Sequence, residues 1–207
     1  MINFQFITNK TDRYDHVESA RIALEGGCKW LQLRMKEIPM ETMEETALKV
    51  KELCIIHRAI FIMDDHVTLA KKIRADGVHL GKMDMPVKEA RAILRDDFII
   101  GGTANTFEDI LQLIDDGVDY IGLGPFRLTD TKKNLGPILG LDGYRKIMQQ
   151  CKEQEIAISV VAVGGITEND IESLMQTGVI GVALSSEILQ AENPIEKTRR
   201  IVNLVNR

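Results

Sequence analysis

Eight short runs of β-branched and aliphatic residues, spaced roughly twenty to thirty residues apart, constrain this chain more than any other feature. They are "INFQFIT", "WLQLR", "AIFIMD", "GVHLG", "IIGGT", "YIGLG", "SVVAVGG" and "GVALSS". Several are apolar without a break, as strands must be when both faces are covered. Between them apolar residues recur at three and four spacing. That period predicts helices over Val17 to Leu24, Met40 to Ile56, Val67 to Ile73, Phe107 to Ile114 and Ile171 to Met175. Gly117 and Gly178 follow two of these segments and predict left-handed helix stops. Two last helices, around Ile188 to Val205, are open to two uses, packing on the body of the protein or supporting a homodimer.

Strands alternating with helices build a parallel sheet, either open and doubly wound or closed into a barrel. An open sheet with a nucleotide site normally has a glycine-rich turn after its first strand. Here that turn is "TNKTDRYD", with no glycine. The count of eight predicts an α/β fold, a single (β/α)8 TIM barrel over residues 1–207 as one domain, compact for an architecture that typically takes about 250 residues.

The formal net charge of −5 leaves no overall basic field, so neither nucleic acid nor a membrane surface is an expected partner. No apolar run approaches the roughly 20 residues of a spanning helix. "MINFQFITNKTDRYD" lacks the basic start and long apolar region of a secretory signal, which predicts a cytoplasmic protein. Cys28, Cys54 and Cys151 match no metal-ligand spacing and read as buried thiols in a reducing compartment.

In a barrel of this kind the chemistry collects where the strands end. Those ends supply Gln32, Arg34 and Lys36; Asp64 and Asp65; Lys82 and Asp84; Thr103 and Asn105; Thr129, Thr131, Lys132 and Lys133; Gly164 and Gly165; and Ser185 and Ser186. Three units emerge. Arg34, Lys36 and Lys132 suit a multiply charged phosphate ligand. Alternation in "LQLRMK" puts Gln32, Arg34 and Lys36 on one face, opposite Leu33 and Met35, which a merely solvated set of charges does not explain. Asp65 and Asp84 suit a hard cation such as Mg2+ shared with phosphate oxygens, although "DD" before a helix also reads as an N-cap. Gly164 and Gly165, followed by a helix near Asn169 and by Ser185 and Ser186, suit a second phosphate, although a glycine pair alone also reads as a tight turn. No nucleophile stands out. His79 reads as a packed or orienting strand residue, and His16, His57 and His66 as surface residues.

The blocks "QLRMK", "MDDHVTLAKKIRADGVHLGKMD", "IGGTANT", "DYIGLGPFRLTDTKKN", "VVAVGGIT" and "GVALSSEI" run in order over nearly the whole chain. Together they resemble the thiamine phosphate synthase (thiamine-phosphate pyrophosphorylase) family. That resemblance implies a Mg2+-dependent transferase of compact barrel fold. Its small-molecule substrates would be 4-amino-2-methyl-5-hydroxymethylpyrimidine diphosphate and hydroxyethylthiazole phosphate, its products thiamine phosphate and pyrophosphate. It also implies roles: Arg34, Lys36 and Lys132 on the pyrophosphate, Asp65 and Asp84 on Mg2+, and Gln32 and Thr103 (in place of the usual serine) on the pyrimidine. The thiazole side falls to Thr129, Thr131, Gly165, Ser185 and Ser186.

The chain departs from the family pattern at four places: Asp64 for an asparagine, Lys82–Met83 for Gln-Glu, Asn105 for a histidine, and "FRL" (Phe126 to Leu128) for an aromatic-proline approach to the threonines. Asp64 and Asn105 are kept as substrate-side candidates at those positions. Two other readings stay open: the sister thiazole tautomerase, which needs a proton-carrying side chain near the thiazole, and a non-catalytic binder of thiamine precursors.

Overall fold

In the computed structural model, which describes residues 3–128 and 137–206, eight parallel strands pair in chain order and the last closes on the first. They are β1 (Phe4–Ile7), β2 (Trp30–Leu33), β3 (Ile60–Asp64), β4 (Gly77–Leu80), β5 (Ile99–Ala104), β6 (Tyr120–Leu123), β7 (Ser159–Val163) and β8 (Gly181–Leu184). The closing register sets Phe4 against Val182 and Phe6 against Leu184. The barrel expected from the strand count is the fold observed.

Each expected helix forms, three with an end extended by a residue or two and two within the expected bounds: α1 (His16–Glu25), α2 (Met40–His57), α3 (Val67–Ile73), α5 (Phe107–Asp116) and α7 (Ile171–Met175). Two more lie between them, α4 (Val87–Leu94) and α6 (Gly140–Glu153), and α8 (Ser186–Leu189) and α9 (Pro194–Val205) follow. Local chemistry sets the ends. Asp15 accepts from the amides of Val17 and Glu18 while Glu18 reaches back to the Asp15 amide, and Thr106 with Asp109 repeats that reciprocal cap on α5. Gly117 ends α5 in the left-handed conformation, as expected. Of the two uses open to the last helix, packing on the barrel is observed: α9 lies against α1, burying Thr198, Ile201 and Val205.

Strand side chains alternate between two separate cores. Outward residues such as Phe6, Leu31, Leu33, Phe61 and Val78 join the helices in the large core. Inside the barrel, Trp30, Ile62, Tyr120, Val161 and Ala183 form a second cluster. Gly101 makes room there: a Cβ on it would fall 2.2 Å from the Tyr120 ring and 2.6 Å from His79 Nδ1. The lower barrel is thus filled by aromatic and aliphatic groups, which leaves the upper layer to polar ones.

Candidate active site

At the C-terminal end of β2 the strand stops at Leu33, so Arg34 and Lys36 extend beyond it and only Gln32 lies within. The alternation nonetheless continues, with Met35 buried and Arg34 and Lys36 turned to the end of β3. The Arg34 amide donates to Thr8 Oγ1 at 3.1 Å, and the Thr8 amide donates to the Gln32 carbonyl at 2.9 Å. These two bonds fix the base of the arginine against the end of β1.

Asp64 is the centre of the charged cluster. Its side chain is 8% exposed, with Oδ2 3.2 Å from Lys36 Nζ and 3.6 Å from Arg34 Nε. That oxygen is buried and ion-paired, with no hydrogen bond of proper angle among the described residues. Burial pushes the Asp64 carboxyl above its usual value, and the charges of Lys36 and Arg34 pull it partly back. Asp65, held at a left-handed φ of 60°, also pairs with Lys36. Burial raises Asp65 as well, against the hydrogen bond and charge of Lys36. Burial works against the Lys36 charge, but Asp64 and Asp65 outweigh it and hold the ammonium above the ordinary lysine range. Asp84, after β4, accepts from the Gly81 amide at 2.6 Å and adds to the field felt by Lys36 and Asp64.

Two histidines read as surface residues are placed otherwise. His66 Nε2 sits 3.0 Å from Asp65 Oδ1, so it belongs to the charged cluster. His16 is half-buried with Nδ1 3.2 Å from Thr8 Oγ1, and burial lowers its pKa ahead of opposing effects from Asp15 and reinforcing ones from Lys10 and Arg34. Their sequence positions beside helix starts gave no hint of either contact.

Below the cluster a polar chain crosses the barrel. Gln5 Nε2 donates to the Tyr120 hydroxyl at 3.2 Å, and Gln32 also bonds it. That hydroxyl is 3.0 Å from His79 Nδ1, and His79 Nε2 is 3.0 Å from Thr103 Oγ1. Burial pushes the Tyr120 phenol far up, ahead of the two amides, so it remains protonated. His79 is therefore the orienting group the sequence allowed for, joined to Thr103 at the mouth. Gln5 and Tyr120 were missed; the signal was a polar side chain in an otherwise apolar strand.

Asn105 spends its side chain on the backbone, its amide donating to the Gly124 carbonyl and so tying the ends of β5 and β6. Lys82 pairs with Asp109 at 2.5 Å, at the N-terminus of α5.

Across the mouth, Gly164 and Gly165 are both left-handed, with φ of 96° and 67°. A short 3-10 turn, Glu168–Asp170, then leads into α7, where the helix near Asn169 was expected. Arg127, from the loop after β6, bonds Gly164 through its backbone and both Gly165 and Asp170 through its side chain. Ser185 Oγ, at the end of β8, is buried with no hydrogen-bond partner among the described residues, and Ser186 opens α8. Thr129, Thr131, Lys132 and Lys133 lie outside the described residues.

Among the described residues no three acidic, histidine or cysteine side chains are arranged to hold a metal by themselves. Asp65 and Asp84 are hard oxygen donors that fit Mg2+ shared with a phosphate ligand rather than caged by protein.

Comparison with known proteins agrees with this geometry. A family model described as thiamine monophosphate synthase matches residues 4–188. A protein of Bacteroides thetaiotaomicron named thiamine-phosphate synthase is 59% identical over 99% of this chain and 98% of its own. One of Flavobacterium psychrophilum with the same name is 46% identical over 93% of each. The solved structure of thiamine phosphate pyrophosphorylase from Pyrococcus furiosus superposes with a TM-score of 0.85 at 35% identity, covering 99% of this chain and 96% of that one. With the barrel, the polar mouth and these relatives all in accord, the chain belongs to the thiamine monophosphate synthase family.

Proposed function

We propose that the protein is a thiamine-phosphate synthase, joining the pyrimidine diphosphate to the thiazole phosphate with release of pyrophosphate. The observation that carries this reading is the convergence of Arg34 and Lys36 on a buried carboxylate at the end of β3, in a chain of this family. Such a cluster is half-neutralised before substrate arrives. A diphosphate entering it exchanges one set of anions for another, so the cations need not be stripped of partners in a dry site.

Arg34 and Lys36 are assigned to the diphosphate, with Lys132 completing the set. As the bond from the pyrimidine methylene to oxygen breaks, its electron pair leaves with pyrophosphate, whose growing charge these side chains stabilise. Asp65 and Asp84 would hold Mg2+, which when bound supplies further positive charge to the diphosphate oxygens. Gln32 and Thr103 are assigned to the pyrimidine, their orientation supported from beneath by Tyr120 and His79. Gly165, Ser185, Ser186, Thr129 and Thr131 are assigned to the thiazole phosphate, so that the thiazole nitrogen meets the methylene carbon in line. The protein's share is mostly positioning. That agrees with a mouth where no activated nucleophile was found among the described residues.

The tautomerase reading is less favoured, because His66 pairs with Asp65 on the diphosphate side and both ring nitrogens of His79 are engaged. The three cysteines are free and buried, which supports residence in a reducing cytoplasm. The test is to supply both substrates with Mg2+ and follow pyrophosphate and thiamine phosphate together. Coupled appearance of both, abolished by chelator, is the expected result. Folded protein that binds the thiazole phosphate yet releases no pyrophosphate would overturn the synthase in favour of a non-catalytic binder.

A further inference from the structure

We propose that Arg127 is a positioning residue for the thiazole phosphate, acting by fixing the peptide planes of the Gly164–Gly165 turn. This rests on the assignment of that turn to the thiazole side. Four observations carry it. The Phe126 amide donates to the Val163 carbonyl at 3.0 Å and the Arg127 amide to the Gly164 carbonyl at 3.0 Å, which ties the loop after β6 to the end of β7. Arg127 Nη1 then donates to the Gly165 carbonyl at 2.7 Å. The same guanidinium grips Asp170 with both nitrogens, at 2.5 and 2.9 Å. Its carbon stands 4.6 Å over the ring of Phe126, which is itself buried.

The consequence follows from peptide geometry. In a trans peptide the N–H points opposite to the C=O. Holding the Gly164 and Gly165 carbonyls toward Arg127 turns the amides of Gly165 and Ile166 the other way, side by side. Successive amides turned to one side in a tight turn form an anion-binding concavity. Gly165 is also packed against its clamp: a Cβ there would sit 2.4 Å from Arg127 Cγ. Asp170 completes the device from the far side, since its Oδ2 also accepts from the Thr167 amide at 2.8 Å and hydroxyl at 2.7 Å. Turn, 3-10 segment and the loop that leads toward Thr129 are thereby one unit. A guanidinium is needed because only its planar fork reaches a carbonyl and two carboxylate oxygens together.

The experiment is a titration of wild type, Arg127→Ala, Arg127→Lys and Asp170→Asn with the thiazole phosphate alone, followed by steady-state kinetics with each substrate varied. Arg127→Ala is expected to weaken thiazole phosphate binding about tenfold or more while the KM for the pyrimidine diphosphate stays within about twofold. Arg127→Lys keeps the charge but not the fork, and is expected to remain impaired at least about threefold. Parallel rises in both KM values, unchanged thiazole phosphate binding, or full recovery by lysine would each overturn the clamp. Asp170→Asn loosens the same grip without removing Arg127, and is read instead if Arg127→Ala does not fold. Because the titration needs no turnover, a wild type that binds the thiazole phosphate but releases no pyrophosphate sinks the synthase reading and still tests the clamp. A wild type that does not bind it overturns the clamp too.

Discussion

Removing one oxygen atom from the middle of the barrel, by Tyr120→Phe, should be felt both in stability and at the mouth. The ring would stay: it fills the space beside Gly101 and packs edge-on against Trp30 at 4.7 Å between centroids. What disappears is the partner of Gln5 Nε2 at 3.2 Å, of His79 Nδ1 at 3.0 Å and of the Gln32 side chain. Gln5 and His79 are 2% and 9% exposed, so water replaces that partner poorly. An orphaned buried polar group costs about 1–3 kcal/mol; with the three former partners keeping or finding other bonds in part, and a phenyl ring easier to bury, the loss comes to about 2–4 kcal/mol. In a chain of this size that corresponds to a fall in Tm of roughly 5–12 °C. Urea unfolding should show a lower midpoint with an unchanged slope.

The second effect distinguishes support of the site from simple packing. With one edge of His79 released, the Thr103 hydroxyl at 3.0 Å from its other nitrogen loses its fixed orientation. The KM for the pyrimidine diphosphate should rise about fivefold to tenfold, or roughly 1 kcal/mol, while the KM for the thiazole phosphate changes little. A loss of stability below about 0.5 kcal/mol together with an unchanged KM would refute the reasoning, for it would mean that the hydroxyl holds none of its neighbours.

Three further outcomes are expected. The Arg127 fork holds the Asp170 carboxyl down to about 2, from an ordinary 3.8. A lowered carboxylate stabilises the folded state above its unfolded pKa and loses that effect as pH falls from about 4 to about 2; with Arg127 nearly half exposed the contribution is about 1 kcal/mol, and Asp170→Asn should remove this slope from acid unfolding curves. Gly165→Ala forces a side chain into a left-handed φ of 67° and against Arg127, so it should cost about 1–2 kcal/mol in a thermal melt and weaken thiazole phosphate binding at least as much as loss of the clamp. Lys36→Ala leaves buried Asp64 with Arg34 as its remaining neighbouring cation in the cluster, so about 1–2 kcal/mol of stability at neutral pH should be lost together with roughly a hundredfold in kcat/KM, read by urea unfolding and steady-state kinetics.

The strands were legible because parallel strands covered on both faces must be apolar throughout, and the runs around Ile62, Ile121 and Val161 are. The caps at Asp15 and Gly117 were legible for equally local reasons. Helix α6 was less so: its buried Tyr144, Ile147 and Cys151 do stand three and four residues apart, but they are few among charges and two glycines, so the period is diluted. At the site, strand-end logic brought Gln32, Asp64 and Thr103 to one mouth, but not their partners. The fork of Arg127 on Asp170, the hydroxyl of Tyr120 on His79 and the imidazole of His66 on Asp65 depend on loop paths and rotamers that no spacing rule encodes. Arg127 in particular stood in a stretch noticed only as a departure from the family pattern.

Because β8 pairs with β1, the barrel has no free sheet edge once complete, but it has two at every earlier stage of synthesis. A nascent chain that has made β1 through β7 carries open hydrogen-bonding edges on both β1 and β7. Its interior cluster also lacks Ala183. Chains cut short before Leu184 should therefore yield not smaller barrels but sticky intermediates that seek strands from one another. Closure couples the most distant parts of the sequence, so folding is slow to commit and, once committed, leaves little that can come apart piecemeal.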